Sequence, residues 1–297
     1  MHGAMSTTGP VRQRNEDHLG WGSLGAPASG VIIGSLAEVA PIPLIGLADA
    51  AIETWGPLVE RASEANGAGM AFVVADGLGG YGGGDVASWM ATRALLNRLG
   101  EWRDPGDRVS SVLRGGFNAA NQRVFDAALS GEGARRMQTT LSALVLVSGE
   151  AHIGHVGDSR IYRLRGDMLE LLTTDHSQVM EMLRMRLIRP EQAADHPARH
   201  ALTRSLGSEI TVRTDIRVDP LADGDTFLIC TDGLWSKVET GEIREALHAD
   251  VRGACEELVA LSIRRGGDDN ASAIVVHVER AGVVAERPRG WRRFLPA

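Results

Sequence analysis

The chain has 297 residues, 43% of them apolar, which is enough for one large domain or two small ones with a packed core. A formal net charge of -7 argues against a general nucleic-acid or anionic-membrane binder, and 4% aromatic residues argue against stacking platforms for single strands. The two cysteines, Cys230 and Cys255, form neither a disulfide framework nor a zinc signature and are interpreted as core residues. The first residues lack the basic start and apolar core of a signal peptide, so a cytoplasmic location is expected.

The N-terminal part of the chain holds a charged segment and then an irregular one. Within residues 11–21, Arg12 lies close to two adjacent acids, Glu16 and Asp17; alone, this pattern indicates a solvated strand or turn. Residues 22–69 are interpreted as a partly buried insertion with a short helix near residues 47–62. Acids and prolines within its apolar part disfavour a membrane span.

Residues 70–85 are the stretch around which the chain is organised. The apolar run 70–75 predicts a buried strand that ends at Asp76, and a glycine-rich segment and a helical pattern follow. This arrangement fits an ordinary glycine-rich turn, a metal ligand at Asp76, or the dinucleotide fingerprint Gly77-x-Gly79-x-x-Gly82. The fingerprint is disfavoured because Asp76 would place negative charge beside a pyrophosphate, and because a second helical stretch follows where a strand is needed.

The rest of the chain alternates between helical and strand patterns. Two helices are predicted at about residues 85–99 and 107–129, and two more at 241–249 and 252–264. Short strands at 139–147, 151–156, 159–164 and 168–172 resemble an antiparallel meander, with Asp158 at a bend. Residues 175–206 are polar, helical in pattern and rich in arginine. Further strands are predicted at 212–218, 226–230 and 271–278, and the basic tail 281–297 is expected to be disordered.

Four aspartates stand at strand ends. Asp76 and Asp232 each follow an apolar strand and precede a glycine, Asp158 lies at a bend, and Asp269 precedes the last strand. In an antiparallel sheet the end of one strand lies beside the start of its neighbour, so the four could gather at one edge. Two carboxylates about 4 Å apart repel by roughly 4 kcal/mol at an effective dielectric near 20 and need cations or shared protons. Oxygen ligands favour Mg²⁺ or Mn²⁺ over zinc.

The order of these motifs resembles that of the metal-dependent protein serine/threonine phosphatases of the PP2C (PPM) family, bacterial type. The resemblance covers about residues 10–279. The matching pieces are Val11-Arg12-x-x-Asn15-Glu16-Asp17, Ala75-Asp76-Gly77-Leu78-Gly79-Gly80, Thr139-Thr140, Val156-Gly157-Asp158-Ser159-Arg160-x-Tyr162, Leu172-Thr173-x-Asp175-His176-Ser177, Leu202-Thr203-Arg204-x-Leu206-Gly207, Cys230-Thr231-Asp232-Gly233-Leu234-Trp235 and Asp269-Asn270.

The resemblance implies an α+β fold, an α-β-β-α sandwich of two packed antiparallel sheets flanked by helices. The phosphatase domain would span residues 1–280. Within it, residues 22–69 are longer than the family norm, and residues 175–208 correspond to the family's flap beside the active site.

The resemblance also implies a site with two Mn²⁺ or Mg²⁺ ions and possibly a third. Asp76 would bridge two metals, with the Gly77 carbonyl, Asp232 and Asp269 as further ligands, and Asp158 would bind the third. Asp17 or Glu16 would hold metal-bound water, and Arg12 would grip the substrate phosphate. The catalytic residues expected are therefore Arg12 and Asp17, and the metal residues are Glu16, Asp17, Asp76, Gly77, Asp158, Asp232 and Asp269.

The implied function is hydrolysis of phosphoserine and phosphothreonine in proteins by metal-activated water, opposing a bacterial-type serine/threonine kinase. No nucleic acid partner and no membrane span are expected. The competing hypothesis is a phosphatase-fold binding or sensor module without turnover, and a nucleotide-binding oxidoreductase ranks third. One departure concerns Leu78: many eukaryotic members have histidine there, and leucine cannot protonate the leaving group.

Overall fold

The computed structural model describes residues 1–24, 31–33, 58–60, 69–79, 83–102, 108–130, 137–193 and 196–281, with residues 31–33 and 58–60 as backbone alone. The strands in this part of the chain are β1 (His2–Thr7), β2 (Asp17–Ser23), β3 (Val31–Ile33), β4 (Leu58–Glu60), β5 (Met70–Leu78), β6 (Gln138–Thr139), β7 (Leu141–Val147), β8 (Glu150–Val156), β9 (Arg160–Arg165), β10 (Met168–Leu171), β11 (Asp215–Pro220), β12 (Thr226–Cys230) and β13 (Ala271–His277). The helices are α1 (Gly84–Gly100), α2 (Val109–Ser130), α3 (Gln178–Arg184), α4 (Asp232–Trp235), α5 (Thr240–Ala246) and α6 (Val251–Arg264).

These strands form two antiparallel sheets. The first has the order β10-β9-β12-β13-β1-β4, and the second has the order β11-β8-β7-β5-β2-β3, with β6 paired to β5. Apolar side chains on the facing surfaces, such as Trp21 and Phe72 from the second sheet and Phe227 and Ile229 from the first, pack into one buried cluster between them. The two sheets therefore share a core, and each has one outer surface left to cover.

Helices cover both outer surfaces. Leu95 of α1 and Phe117 of α2 pack with Val73 and Val145 of the second sheet. On the opposite side, apolar residues of α4–α6 pack with Leu228 and Val275 of the first sheet and its neighbours. The result is the α-β-β-α sandwich expected from the sequence, so that prediction is confirmed.

The expected meander of four strands is wrong in one respect. Strands β7 and β8 form a hairpin in the second sheet, whereas β9 and β10 form a hairpin in the first. The chain crosses between sheets at residues 157–159. Gly157 makes the crossing possible because its φ is +111° and a Cβ there would press on Thr140. Asp158, placed at a bend by the sequence, lies at this crossing.

Three other local features differ from the interpretation of the sequence. Strand β1 was not predicted, because its short sequence His-Gly-Ala-Met-Ser-Thr has few strand-forming residues and is held by its pairing with β13 and β4. Residues 175–206 are mostly loop, with only α3, capped by Ser177, and one 3₁₀ turn at Pro190–Gln192. The helix expected near residues 47–62 is a strand at Leu58–Glu60, and its remainder lies outside the described residues.

Other parts of the sequence interpretation fall where the structure gives no description. These are most of the 22–69 insertion, the tail from residue 282 onward, and residues 80–82 of the glycine-rich segment. Within the ranges that are described, no helix is both long and apolar enough to cross a bilayer.

Candidate functional site

The acids singled out in the sequence come together where strands of the two sheets end. Asp17 in β2 is the register partner of Asp76 in β5. Asp232 begins α4 directly after β12, and Asp269 lies just before β13. The pKa of Asp76 is raised well above its usual range, first by burial and then by the negative charges of Asp17, Asp232, Asp158 and Asp269. We call these five residues the acid cluster.

Asp17 is fully buried in the acid cluster, contrary to the solvated strand or turn indicated by its local sequence. Thr231 Oγ1 and Ser272 Oγ donate to its Oδ2 at 2.9 and 2.7 Å, whereas its Oδ1 has no hydrogen-bond partner among the described atoms. Burial, aided by Asp232 and Asp269, raises the pKa of Asp17 to about 7. One buried carboxylate oxygen is thus left for a further partner.

The backbone around Asp76 is held rigidly by two threonines. The Asp76 N–H donates to Thr140 Oγ1 at 2.9 Å, while Thr139 Oγ1 and the Thr140 N–H donate to the Asp76 carbonyl at 2.8 and 2.9 Å. The Thr139-Thr140 pair was noted in the sequence as a motif without a role. It fixes the position from which the Asp76 side chain extends.

Gly77 is required for the close approach of three chain segments. Its N–H donates to the Glu16 carbonyl at 3.1 Å. A Cβ at this position would overlap the Gly84 carbonyl and lie 2.7 Å from the Glu16 carbonyl oxygen.

Burial and the neighbouring Asp85 raise the pKa of Glu16, so Glu16 adds another destabilised carboxylate beside the cluster.

Asp158 lies close to an ion pair between Arg160 and Asp175. Its pKa is raised to about 8, first by burial and then by Asp232 and Asp175, and its carbonyl accepts a hydrogen bond from Trp235 Nε1 at 2.9 Å. Arg160 donates twice to Asp175, at 2.7 Å from Nη2 and 3.0 Å from Nε, and stacks 3.6 Å over the Trp235 ring. Sequence reasoning quoted the motif Asp158-Ser159-Arg160 but did not anticipate this pairing.

Arg12 lies at the edge of the acid cluster and contacts one of its members. Its Nη2 donates to Asp269 Oδ2 at 2.8 Å, and its Nε donates to the Asp268 carbonyl at 3.3 Å. The Arg12 side chain remains 47% exposed. The pKa of Asp269 is still raised, because burial and Asp232 outweigh the guanidinium.

Asn270 is a structural residue that sequence reasoning missed. Its Nδ2 donates to the carbonyls of Thr8 and Arg14, both at 3.0 Å, and its Oδ1 accepts from the Glu16 N–H at 2.8 Å. These three bonds hold the segment carrying Arg12, Glu16 and Asp17 against β13. The available signal in the sequence was an asparagine directly after an acid at a strand start.

The residues present fit hard divalent cations. In the described part of the chain no three acidic, histidine or cysteine side chains already converge as a complete ligand set. The carboxylates nevertheless lie close enough to raise one another's pKa, and Asp17 keeps an unpartnered buried oxygen. Closely spaced carboxylates of this kind are stabilised by Mg²⁺ or Mn²⁺. A nitrogen donor also lies nearby, because His200 Nδ1 is 3.4 Å from Asp232 Oδ2.

Comparisons with known proteins agree on one family. A family profile described as protein phosphatase 2C matches residues 60–264. The serine/threonine phosphatase stp of Listeria innocua is 35% identical over 69% of this chain and 82% of its own length. The solved serine/threonine phosphatase PstP/Ppp of Mycobacterium tuberculosis has a TM-score of 0.73 and 27% identity, covering 94% of this chain and 99% of that one. The PstP catalytic domain solved with two manganese ions has a TM-score of 0.70 and 26% identity, covering 94% and 98%.

Proposed function

We propose roles for individual residues from one premise: the chain belongs to the protein phosphatase 2C family and is a metal-dependent protein serine/threonine phosphatase. It uses Mn²⁺ or Mg²⁺, and its substrates are phosphoproteins. Nothing in the structure or the comparisons favours a binding module without turnover, or an oxidoreductase.

The mutual repulsion within the acid cluster is the observation that carries our assignment of metal ligands. Asp76 is the carboxylate on which the other four charges act, so we assign it the bridging position. Around it we place the unpartnered oxygen of Asp17, the Gly77 carbonyl, Asp232 and Asp269, with Glu16 beside them. Asp158, at the crossing between sheets, is assigned to a third ion. When bound, the metals supply a water of lowered pKa and stabilise charge on the phosphoryl oxygens.

The chain's own side chains position the substrate and fix the ligands. Arg12 has Nε and Nη2 engaged with residues 268 and 269, which leaves its Nη1 to donate to a phosphate oxygen at the exposed edge of the site. Asn270 holds the Arg12 segment in place, and the Thr139-Thr140 pair holds Asp76. The Leu78 side chain has no acidic proton to donate, so the leaving oxygen takes its proton from water in the site.

The cellular role is proposed at a finer level than the comparisons reach. We propose a cytoplasmic enzyme that opposes a bacterial-type serine/threonine kinase and does not act on nucleic acid; the bacterial phosphatases to which it is similar and the net charge of -7 support this. We also propose residues 1–280 as one phosphatase domain, with residues 22–69 as an insertion, residues 175–208 as a flap and residues 281–297 as a basic tail.

The test is hydrolysis of a phosphothreonine peptide by the full chain, with Mn²⁺, with EDTA, and in the variant Asp232→Ala. We expect turnover only with metal and a loss of at least about a hundredfold in the variant, since the metals supply several kcal/mol of transition-state stabilisation. Asp126→Asn, an exposed acid on α2, is the matched control and should retain activity. Full metal-dependent turnover in Asp232→Ala would remove Asp232 from the ligand set, and no turnover in the folded, metal-loaded wild type would refute the residue-level assignment.

A further inference from the structure

Apart from the acid cluster, the structure has a polar cavity at the far edge of the second sheet, between α2 and β11. Its volume is about 480 Å³, within the range of small-molecule sites. The lining residues that matter here are Arg114, His155, Arg213, Thr214, Asp215 and Arg217. We call it the arginine cavity. None of these six residues belongs to the acid cluster.

Two of the charged lining residues are already neutralised. Arg217 Nη2 contacts Glu170 at 2.6 Å and Asp219 at 2.8 Å. Asp215 receives hydrogen bonds from Arg204 at 2.9 Å and from His176 Nε2 at 3.1 Å. These pairs contribute no net charge to the cavity.

The two remaining arginines are unpaired. Arg114 on α2 and Arg213 just before β11 are both exposed, and within the described ranges neither has an ion-pair or hydrogen-bond partner for its guanidinium. His155 adds no charge, because burial lowers its pKa to about 3 and it donates from Nε2 to the Thr174 carbonyl. The cavity thus carries two uncompensated positive charges in a chain whose net charge is negative.

Two unpaired guanidinium groups at one cavity are donors that bind phosphate oxygens in proteins, since each planar group can donate two parallel hydrogen bonds. Thr214, next to Arg213, is only 4% exposed, and its Oγ1 is buried without a hydrogen-bond partner among the described atoms, so this hydroxyl lies behind the cavity wall.

We propose that the arginine cavity is a second phosphate site, which binds a phosphate dianion through Arg114 and Arg213. The dianion comes either from another phosphorylated side chain of the substrate protein or from free phosphate. The first source rests on the proposed function, whereas phosphate binding itself does not. The cavity is tied to the catalytic edge by hydrogen bonds from His176 to Asp215 and from the Gly157 N–H to His176.

The binding test is calorimetric titration of the EDTA-treated full chain with inorganic phosphate. Without metals the acid cluster repels phosphate, so heat released by binding reports on the arginine cavity. We expect the double variant Arg114→Ala/Arg213→Ala to bind phosphate at least about tenfold more weakly, since a hydrogen bond to a charged group contributes roughly 1.5–3 kcal/mol. Arg244→Ala, which removes an exposed arginine of α5, should bind as the wild type does.

Equal phosphate affinity in the wild type and the double arginine variant, or no binding in either, would overturn the site. Since this titration needs no turnover, its outcome is independent of whether the chain is an active phosphatase.

The kinetic test distinguishes the two sources of phosphate. With Mn²⁺, we compare peptides carrying one and two phosphothreonines. If the substrate supplies the dianion, the wild type has a KM about tenfold lower for the doubly phosphorylated peptide, and the double arginine variant loses this advantage with kcat unchanged. Equal KM values for the two peptides, together with phosphate binding in calorimetry, would assign the site to free phosphate.

Discussion

The acid cluster and the residues around Arg160 lie side by side, but charges are unbalanced in the first and paired in the second. In the acid cluster, carboxylates are buried near one another, and their pKa values rise, to about 7 for Asp17 and about 8 for Asp158. Around Arg160, the guanidinium is shared among Asp175, Tyr162 and the Trp235 ring. Only Ser159 separates Asp158 from Arg160 in the sequence.

This difference separates residues whose charges are already paired from residues that we propose as metal ligands. Removing one partner of a satisfied buried ion pair leaves an uncompensated buried charge, which destabilises the fold. Closely spaced carboxylates without a counterion destabilise the fold in exchange for affinity toward a cation. Substitutions in the two regions should therefore change stability in opposite directions.

The largest expected effect is at Arg160. In Arg160→Ala the Asp175 carboxylate, only 6% exposed, loses its hydrogen bonds to the guanidinium, and we expect a loss of about 3 kcal/mol in the free energy of unfolding. Urea denaturation measures this loss. Arg252→Ala removes an exposed pair on α6 and should cost about 0.5 kcal/mol or less. Equal losses in the two variants would show that the Arg160 pair does not stabilise the fold.

The next effect is at Asn270, which links the two regions of the chain that form the acid cluster. Asn270→Ala removes three hydrogen bonds to the segment that carries Arg12 and Asp17 and leaves buried backbone groups unsatisfied. We expect a loss of about 2 kcal/mol in stability and a fall in kcat/KM. The control is Asn97→Ala, at an exposed position on α1, which should change neither. Unchanged kcat/KM in Asn270→Ala would refute the positioning role.

A smaller effect of opposite sign is expected at Asp158. The pKa of Asp158 is about 8 in the folded chain, above the value of an unfolded aspartate, so the folded chain holds this proton more tightly. Stability therefore falls as the pH rises from the pKa of the unfolded chain to that of the folded chain. In EDTA at pH 8, Asp158→Asn should raise the free energy of unfolding by about 1 kcal/mol or more and raise the Tm by at least a few degrees. With Mn²⁺ present, the wild type should regain part of the difference. A lower Tm for the variant in EDTA would contradict the comparison.

The smallest effect concerns the buried histidine His155, whose charged form is also disfavoured. Its pKa is lowered to about 3, so the unfolded chain binds the proton more readily and stability falls as pH drops below about 6.5. Between pH 8 and pH 6 the wild type should lose about 0.8 kcal/mol that His155→Gln does not lose. Urea midpoints of both proteins at the two pH values measure this difference. Parallel pH dependence in the two proteins would mean that the pKa of His155 is the same in the folded and unfolded chains.

Much of the site was predictable because strand ends are visible in the sequence. An apolar run that ends in Asp-Gly, as at Asp76 and Asp232, marks both a buried strand and a bare backbone for close approach. The order of the motifs resembles that of the PP2C family, and this resemblance implied the α-β-β-α sandwich. Roles for individual ligands remain predictions, since the structure brings the acids together but does not test what they bind.

What could not be predicted depends on contacts between distant segments. Asn270 was visible only as part of a motif, because its bonding partners Thr8 and Arg14 lie more than 250 positions away. The transfer of the chain between sheets at Gly157 depends on a backbone angle that adjacent strands do not reveal. The arginine cavity combines α2 with β11, and no spacing in the sequence relates Arg114 to Arg213.

The pairing of β1 with β13 also governs when the enzyme can become active during its synthesis. These strands join Thr7 to Ala271, so the first sheet closes only after nearly the whole phosphatase domain has left the ribosome. Asp17 receives one of its two side-chain hydrogen bonds from Ser272, and Asn270 fixes the segment that carries Arg12. A nascent or truncated chain that lacks β13 therefore lacks these contacts, and we expect dephosphorylation to begin only after β13 has been made.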